Sequence, residues 1–371
     1  MGELVQTKNS FKVIGKVSRI DKEFAWKEDQ AIKGKREGET FRSLKFGVKT
    51  SDTNEITVSM FDYEPTEVFM WNSDKRTKDP SYKGDRIPFA TWEEQREDLR
   101  EQGYAVLQSR VGLTYDENGK IQSQGLPSFV ASQEIYNNLD NGDSVVIEGK
   151  IRYGKYKNRE DKEVEQKTYT IEKLFRIKDV DFDAENFEEV TYFEQEIVFV
   201  GADVDKKEGK VYVTGRTIDY HKNFHDTQMI VNFKDSDGNL DDGMVKLAET
   251  FAKRFKFGDV INVFGDTLNR VIIEEVEDGG EDVDLFAEFG GKQKPKHANG
   301  FTARTYVTEM SIQGVDAYDK GVYKEDDFVD NSLIDNGKED LSLEFGGKPR
   351  KPNPFDENTG GVVIDENDLP F

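Results

Sequence analysis

The chain contains no cysteine in 371 residues, which excludes disulfides, thiol catalysis and Cys-ligated zinc and suits a reducing cytosol. Histidine is almost as scarce, with three residues. His221 and His225 have the i, i+4 spacing of helical metal ligands, but they fall in a stretch that reads as strand and loop and lack a third ligand. Asp235-Ser236-Asp237-Gly238-Asn239 has a displaced glycine, and Lys246 stands where a calcium loop needs its bidentate acid, so it reads as a β-turn. There is no Gly-x4-Gly-Lys-Ser/Thr phosphate loop, and no catalytic constellation stands out. The expectation is a non-enzyme without metal or cofactor. No apolar run approaches a membrane span, and Met1-Gly2-Glu3-Leu4 is neither a basic n-region nor an apolar h-region. A soluble, cytoplasmic protein is expected. Apolar residues make up only 35% of the chain, so small cores and much exposed chain follow.

What is present is charge, unevenly spread. Residues 1–180 hold 31 Lys+Arg against 32 Asp+Glu, residues 181–315 hold 15 against 28, and residues 316–371 hold 6 against 15. The net charge of −23 therefore lies in the C-terminal half. A polyanion would be repelled there and tolerated by the first half.

Residues 10–63 read as a three-strand meander. Phe11–Ile20 is one strand, followed by a polar loop over 21–40. In Phe41–Lys49, Leu44, Phe46 and Val48 face one way while Phe41, Ser43 and Lys45 face the other. Ile56–Phe61 alternates likewise, with Thr57, Ser59 and Phe61 outward. Residues 64–130 interrupt this pattern as an α/β insertion. Within it, the capping box Thr91-Trp92-Glu93-Glu94 predicts a helix to about Gln102, and Asp116-Glu117-Asn118-Gly119 predicts a hairpin turn between strands at Tyr104–Thr114 and Lys120–Gln124.

A short helix (Ser132–Leu139), a Gly142-Asp143 turn and a strand ending at Gly149 come next, and Lys167–Val180 closes this half. The second half repeats the grammar. Strands at Glu196–Gly201, Lys210–Tyr220 and Gln228–Lys234 precede a helix (Asp242–Lys256), a Gly258-Asp259 turn, a strand reaching Gly265 and a last strand at Thr302–Gln313. The matched Gly-Asp turns and glycines indicate an internal duplication. Three strands, a helix and two strands fit the five-stranded OB-fold. The expected fold is mainly β, with two OB-fold-like five-stranded barrels in tandem. The first (1–185) carries the insertion, the second spans 186–315, and a disordered acidic tail spans 316–371. Glu288-Phe289-Gly290-Gly291-Lys292 recurs as Glu344-Phe345-Gly346-Gly347-Lys348 and reads as linker vocabulary.

The chain stops on Asp365-Glu366-Asn367-Asp368-Leu369-Pro370-Phe371. Acids followed by Leu369, Pro370 and a terminal aromatic suit capture in an apolar pocket beside a cation. Tandem barrel-like segments, an acidic tail and this tip resemble the bacterial single-stranded DNA-binding protein family. The resemblance implies that Asp365, Glu366, Asp368, Leu369, Pro370 and Phe371 dock replication or repair proteins such as a helicase, primase, polymerase or recombination factor. The family has one barrel per chain and assembles as a tetramer. Two barrels here point to a phage-type or otherwise divergent member, with a homodimer as a candidate assembly.

Sequence-independent single-strand binding needs a basic groove and aromatic faces on which bases stack. Phe24 and Trp26 lie in a loop with Lys22, Lys27, Lys33, Lys35 and Arg36. Phe41, Lys45 and Phe61 are on the outer strand face, and Lys150, Arg152, Lys155, Tyr156, Lys157 and Arg159 form a basic run interleaved with an aromatic. Each has a plainer reading: Phe41 and Phe61 as packing against the insertion or a partner, Trp26 as a loop anchor, the basic run as a solvated strand edge. Tyr153 is in phase with the core. The expected function is single-stranded DNA coating during replication, recombination and repair. An adaptor using its barrels for protein contacts and an acidic DNA mimic are the alternatives.

Overall fold

The computed structural model describes residues 3–32, 34–157, 163–235, 238–275 and 302–328. The chain is mainly β, built around one large mixed sheet. β1 (Asn9–Ser18), β2 (Trp26–Gln30), β3 (Thr40–Lys49) and β4 (Glu55–Tyr63) open it. The insertion contributes β5 (Glu67–Asn72), α1 (Ser73–Lys78), β6 (Asp85–Pro88), α2 (Phe89–Glu101), β7 (Tyr104–Val106), β8 (Ser109–Tyr115) and β9 (Ile121–Leu126), and the helix α3 (Ser128–Asn138) comes after it. β10 (Ser144–Lys157) and β11 (Glu163–Arg176) follow. The second half holds β12 (Val190–Asp205), β13 (Lys210–Ile218), β14 (Phe224–Asn232), α4 (Asp242–Lys253), β15 (Val260–Glu275) and β16 (Thr302–Asp319).

Two closed cycles of strand pairing organise the sheet. In the first ring β1 pairs β3, β3 pairs β4, β4 runs parallel to β11, β11 pairs β10, and β10 returns to β1. In the second ring β12, β13 and β14 pair in turn, β14 runs parallel to β16, and β15 links β16 back to β12. Alternation builds both interiors: Phe11, Val13 and Val17 of β1 meet Leu44, Phe46 and Val48 of β3, all buried. Val211, Val213, Ile261 and Val263 do the same in the second ring.

The duplication extends to single hydrogen bonds. Gly142 and Gly258 both take positive φ, at +94° and +86°, where a side chain would be strained. The Gly142 N–H donates to the Val17 carbonyl and the Val17 N–H to the Asp143 carbonyl. The Gly258 N–H donates to Phe199 and the Phe199 N–H to Asp259 in the same way. Each ring then bends at its second glycine, with a register shift at Glu148/Gly149 and at Phe264/Gly265. A Cβ there would lie 1.9 Å from the carbonyl oxygen of Thr170 or of Ser311.

The rings are fused. Asn9–Ile14 of β1 pairs with Val190–Gln195 of β12, and one hydrophobic cluster runs through both. The β3–β4 turn is tied to the second ring, where Asn54 accepts from the Asn269 N–H at 2.7 Å and donates to Glu189 at 2.8 Å.

Several expectations are corrected. The polar loop over 21–40 contains β2, an edge strand held by its ladder to β3 rather than by apolar alternation. α2 starts at Phe89 behind Pro88, without the Thr91 capping box, because Phe89 and Trp92 are buried and draw the first turn inward. The strand read over 104–114 breaks at Leu107–Gln108, where the chain passes from the small β6–β5–β7 sheet to the large one. The insertion does more than interrupt the first unit: its β8 joins the large sheet, running parallel to β11 beyond the end of β4. The tail boundary at 316 falls too early. β16 continues to Asp319, and Tyr323 and Phe328 are buried against Val198 and Ile218 of the second ring.

Candidate nucleic-acid interface

The outer face of β3 and β4 carries an aromatic cluster set by strand register. Phe41 lies opposite Tyr63 and Ser43 opposite Phe61, all on the face turned away from Leu44 and Met60. Ring centroids are 5.4 Å apart for Phe41–Phe61, 5.3 Å for Phe61–Tyr63 and 6.1 Å for Phe41–Tyr63. The three rings are half-buried, so they pack on one another while keeping part of their surface in solvent.

Cations sit over these rings. Lys27 of β2 places Nζ 5.4 Å from the Phe41 centroid, and Arg36 from the β2–β3 loop lies 4.5 Å from that of Tyr63. Each also touches an acid, Asp29 at 3.2 Å and Glu39 at 3.3 Å. Lys45 is two pairs from Phe61 along the same face. Burial pushes its ammonium pKa down, and repulsion from Arg19 adds to this. Between Phe61 and Tyr63, burial raises the Asp62 carboxyl, opposed by a hydrogen bond from Gln108 and by the charges of Arg36 and Arg152.

The structure therefore brings Phe41, Lys45 and Phe61 onto one surface. Arg152 is exposed on β10, and its charge opposes the rise of the Asp62 carboxyl. Other candidates lie elsewhere. Phe24 is 56% exposed on the 3-10 turn before β2. Trp26 turns inward and stacks on Tyr136 of α3, 5.2 Å between centroids and 11° between planes, so one of its faces is taken. Lys150 donates to the Asn9 carbonyl at 2.8 Å, toward the joint between the rings, and Lys155 is exposed on β10. The side chains of Tyr156 and Lys157, Arg159, and the tip from Asp365 to Phe371 fall outside the described residues. Tyr153 is half-buried where the rings meet, its hydroxyl donating to Gln195 at 3.1 Å, and burial pushes its pKa far up.

Sequence reasoning missed Tyr63 as a member of the cluster. The signal was available, since Tyr63 follows Phe61 by two residues and so shares its face. The pairing of Lys27 with Phe41 and of Arg36 with Tyr63 depends on how β2 and its loop fold over, which local sequence does not encode.

In the second ring, Arg216 is clamped to Asp226 by two hydrogen bonds of 2.6 and 2.8 Å and lies over the rings of Phe224 and Phe328. His225 is 3.9 Å from Asp219. Among the described residues, no group of three or more His, Cys, Asp or Glu is arranged to hold a metal, and no helix is long and apolar enough to cross a membrane.

No curated protein matches the chain. Among solved structures, a deletion mutant of the single-stranded DNA-binding protein from Thermus aquaticus overlays 72% of this chain and 89% of its own. That overlay has 10% sequence identity and a TM-score of 0.34, too loose to transfer a residue or an activity. The YorF family model matches residues 85–340, more than half of the sequence. The chain belongs to the YorF family.

Proposed function

We propose that the chain is a non-enzymatic single-stranded DNA-binding protein whose two rings are tandem OB-type barrels. The first barrel, with its insertion, holds the strand on the outer face of β3 and β4. The observation that carries this reading is the cluster of Phe41, Phe61 and Tyr63 with Lys27 and Arg36 over its rings. Half-exposed rings on a strand face offer π-surfaces to bases of any identity, and flanking cations meet the phosphates between them. A purely structural cluster would bury its rings and leave no cation in reach of solvent. The second barrel serves as a rigid support and is acidic, which suits protein contacts or a homodimer. The acidic C-terminal residues recruit replication, recombination or repair proteins in the cytoplasm through Asp368, Leu369, Pro370 and Phe371.

Titration of labelled oligo-dT against the full chain tests the reading. Binding is expected to weaken with salt, with a slope of about −0.7 per phosphate neutralised, and to depend little on base sequence. Tighter binding to duplex, or no binding to any oligonucleotide, would refute it. Removing Phe371 is expected to spare DNA affinity and to abolish capture of replication proteins; unchanged capture would refute the role of the tip.

A further inference from the structure

A cleft of about 540 Å³ opens in the insertion, between α2 on one side and β8, β9 and the outer side of β11 on the other. Its floor is apolar, with buried Trp92 and Met70, and Leu107 stands 64% exposed at its rim. Arg96, Arg100, Arg110 and Lys173 line it, with Glu97 and Glu172 as its acids. Their present partners are surface acids or a hydroxyl: Glu97 lies 3.7 Å from Arg100, Ser123 accepts from Arg110 at 3.1 Å, and Glu148 lies 2.9 Å from Lys173. The Arg100 and Lys173 side chains are 55% and 50% exposed, so a phosphate can displace these weak pairings.

The cleft and the aromatic face meet at β4 from opposite sides. Gln108, next to Leu107 on the cleft wall, donates to Asp62 at 2.7 Å, and Asp62, between Phe61 and Tyr63 in the chain, turns to the opposite face of the strand, so a bound strand passes from one to the other round the end of β4. This contact exists because the insertion is stitched into the first ring through β8–β11 pairing, from Lys173 opposite Arg110 to Phe175 opposite Gly112. Two of the basic side chains, Arg110 and Lys173, are thus directly paired residues of neighbouring strands, and their separation is fixed by the sheet.

Resting on the proposed single-strand binding, the geometry points to this cleft as a second segment of the DNA path. It receives the strand leaving the aromatic face, with Arg100, Arg110 and Lys173 taking phosphates and Leu107 packing against a sugar or base. The insertion then lengthens the footprint beyond what one barrel covers.

The test uses the full chain with two oligo-dT probes, one of about 8 nucleotides and one of about 30, because a single OB barrel covers on the order of 4–16 nucleotides. The double variant Arg100→Glu, Lys173→Glu is expected to weaken the long probe by about tenfold or more and to make its salt slope shallower by about 1.4 for two phosphate contacts. The short probe is expected to bind unchanged. Arg110→Gln is the second variant, chosen because it keeps a donor toward Ser123, and it is expected to act in the same direction. Equal loss on both probes, or no loss on either, would overturn the cleft assignment while leaving the aromatic face standing. A wild-type chain that binds neither probe would overturn both readings. A cleft that binds an acidic peptide, with long-probe affinity unaffected by the variants, would overturn the DNA path in favour of protein docking.

Discussion

At the ninth pair counted from its turn, the β3–β4 hairpin of the first ring carries Phe41 opposite Tyr63; the β13–β14 hairpin of the second carries Lys210 opposite Asn232. At the seventh pair, Ser43 and Phe61 are matched by Tyr212 and Ile230. At the sixth pair the inward residues are apolar in both hairpins, Leu44 with Met60 and Val213 with Met229, and the Gly-Asp turns that follow make the same hydrogen bonds. The outer faces have therefore diverged on a common backbone. In the second ring Lys210 is held by Glu309 at 3.0 Å and Tyr212 by Glu208 at 2.9 Å, while Arg216 is stapled to Asp226 beneath Phe328. Lys210 and Arg216 are thus each held close by an acid. In the first ring Lys27 and Arg36 also touch acids, Asp29 and Glu39, but stand over the half-buried rings of the outer β3–β4 face. Closure of a ring depends on inward side chains and bend glycines, so the outward positions are free to vary without cost to the fold.

The largest expected effect probes what the rings share. Gly149→Val and Gly265→Val each drive a side chain into a carbonyl and are expected to cost about 3 kcal/mol in urea unfolding. The two rings share a sheet and a core, so both variants should lower one common transition; two separate transitions would break the picture of a fused unit. Next comes the face that differs. Phe41→Ala with Tyr63→Ala is expected to lower oligo-dT affinity by about 1–3 kcal/mol per stacked base, whereas Tyr212→Ala should leave it unchanged. Equal losses from the two rings would erase the distinction.

A smaller effect is expected from Arg216→Ala, which leaves Asp226 without its clamp. It should destabilise the chain by about 1–2 kcal/mol, below the value for a fully buried pair because Asp226 is 41% exposed, with oligonucleotide affinity intact. The smallest concerns Asp62. Its folded pKa is raised by burial above the ordinary 3.8, so the folded state binds the proton more tightly than the unfolded chain. Stability therefore falls as pH rises from 3.8 through the folded value. Asp62→Asn should remove that dependence and slightly strengthen DNA binding at neutral pH, read from paired urea and oligonucleotide titrations at several pH values.

Much of this architecture was legible in the residues. The alternation of Leu44, Phe46 and Val48 gave β3 its inward face, and the repeated Gly-Asp turn exposed the duplication. β2 was not legible, because Trp-Lys-Glu-Asp-Gln has no apolar period and pairs only as an edge. The folded span of residues 316–328 was hidden by its acids: Tyr323 and Phe328 find their pocket on the second ring, far back in sequence at Val198 and Ile218. The outward placement of Phe41 and Phe61 was readable; the inward turn of Trp26 onto Tyr136 was not, since it needs α3 docked beside β3.

The sequence by itself determined the strand faces, the bend glycines, the absence of cysteine chemistry and the acidic C-terminal half. These are local properties, set by side-chain period, backbone sterics and composition. Only the tertiary structure decided that the two rings share one sheet through β1 and β12, that the insertion is sewn to β11 beside a basic cleft, and that Lys27 and Arg36 come to rest over Phe41 and Tyr63. Each of these joins strands or loops whose contact depends on ring closure, and closure is a property of long-range pairing that no short window of residues specifies.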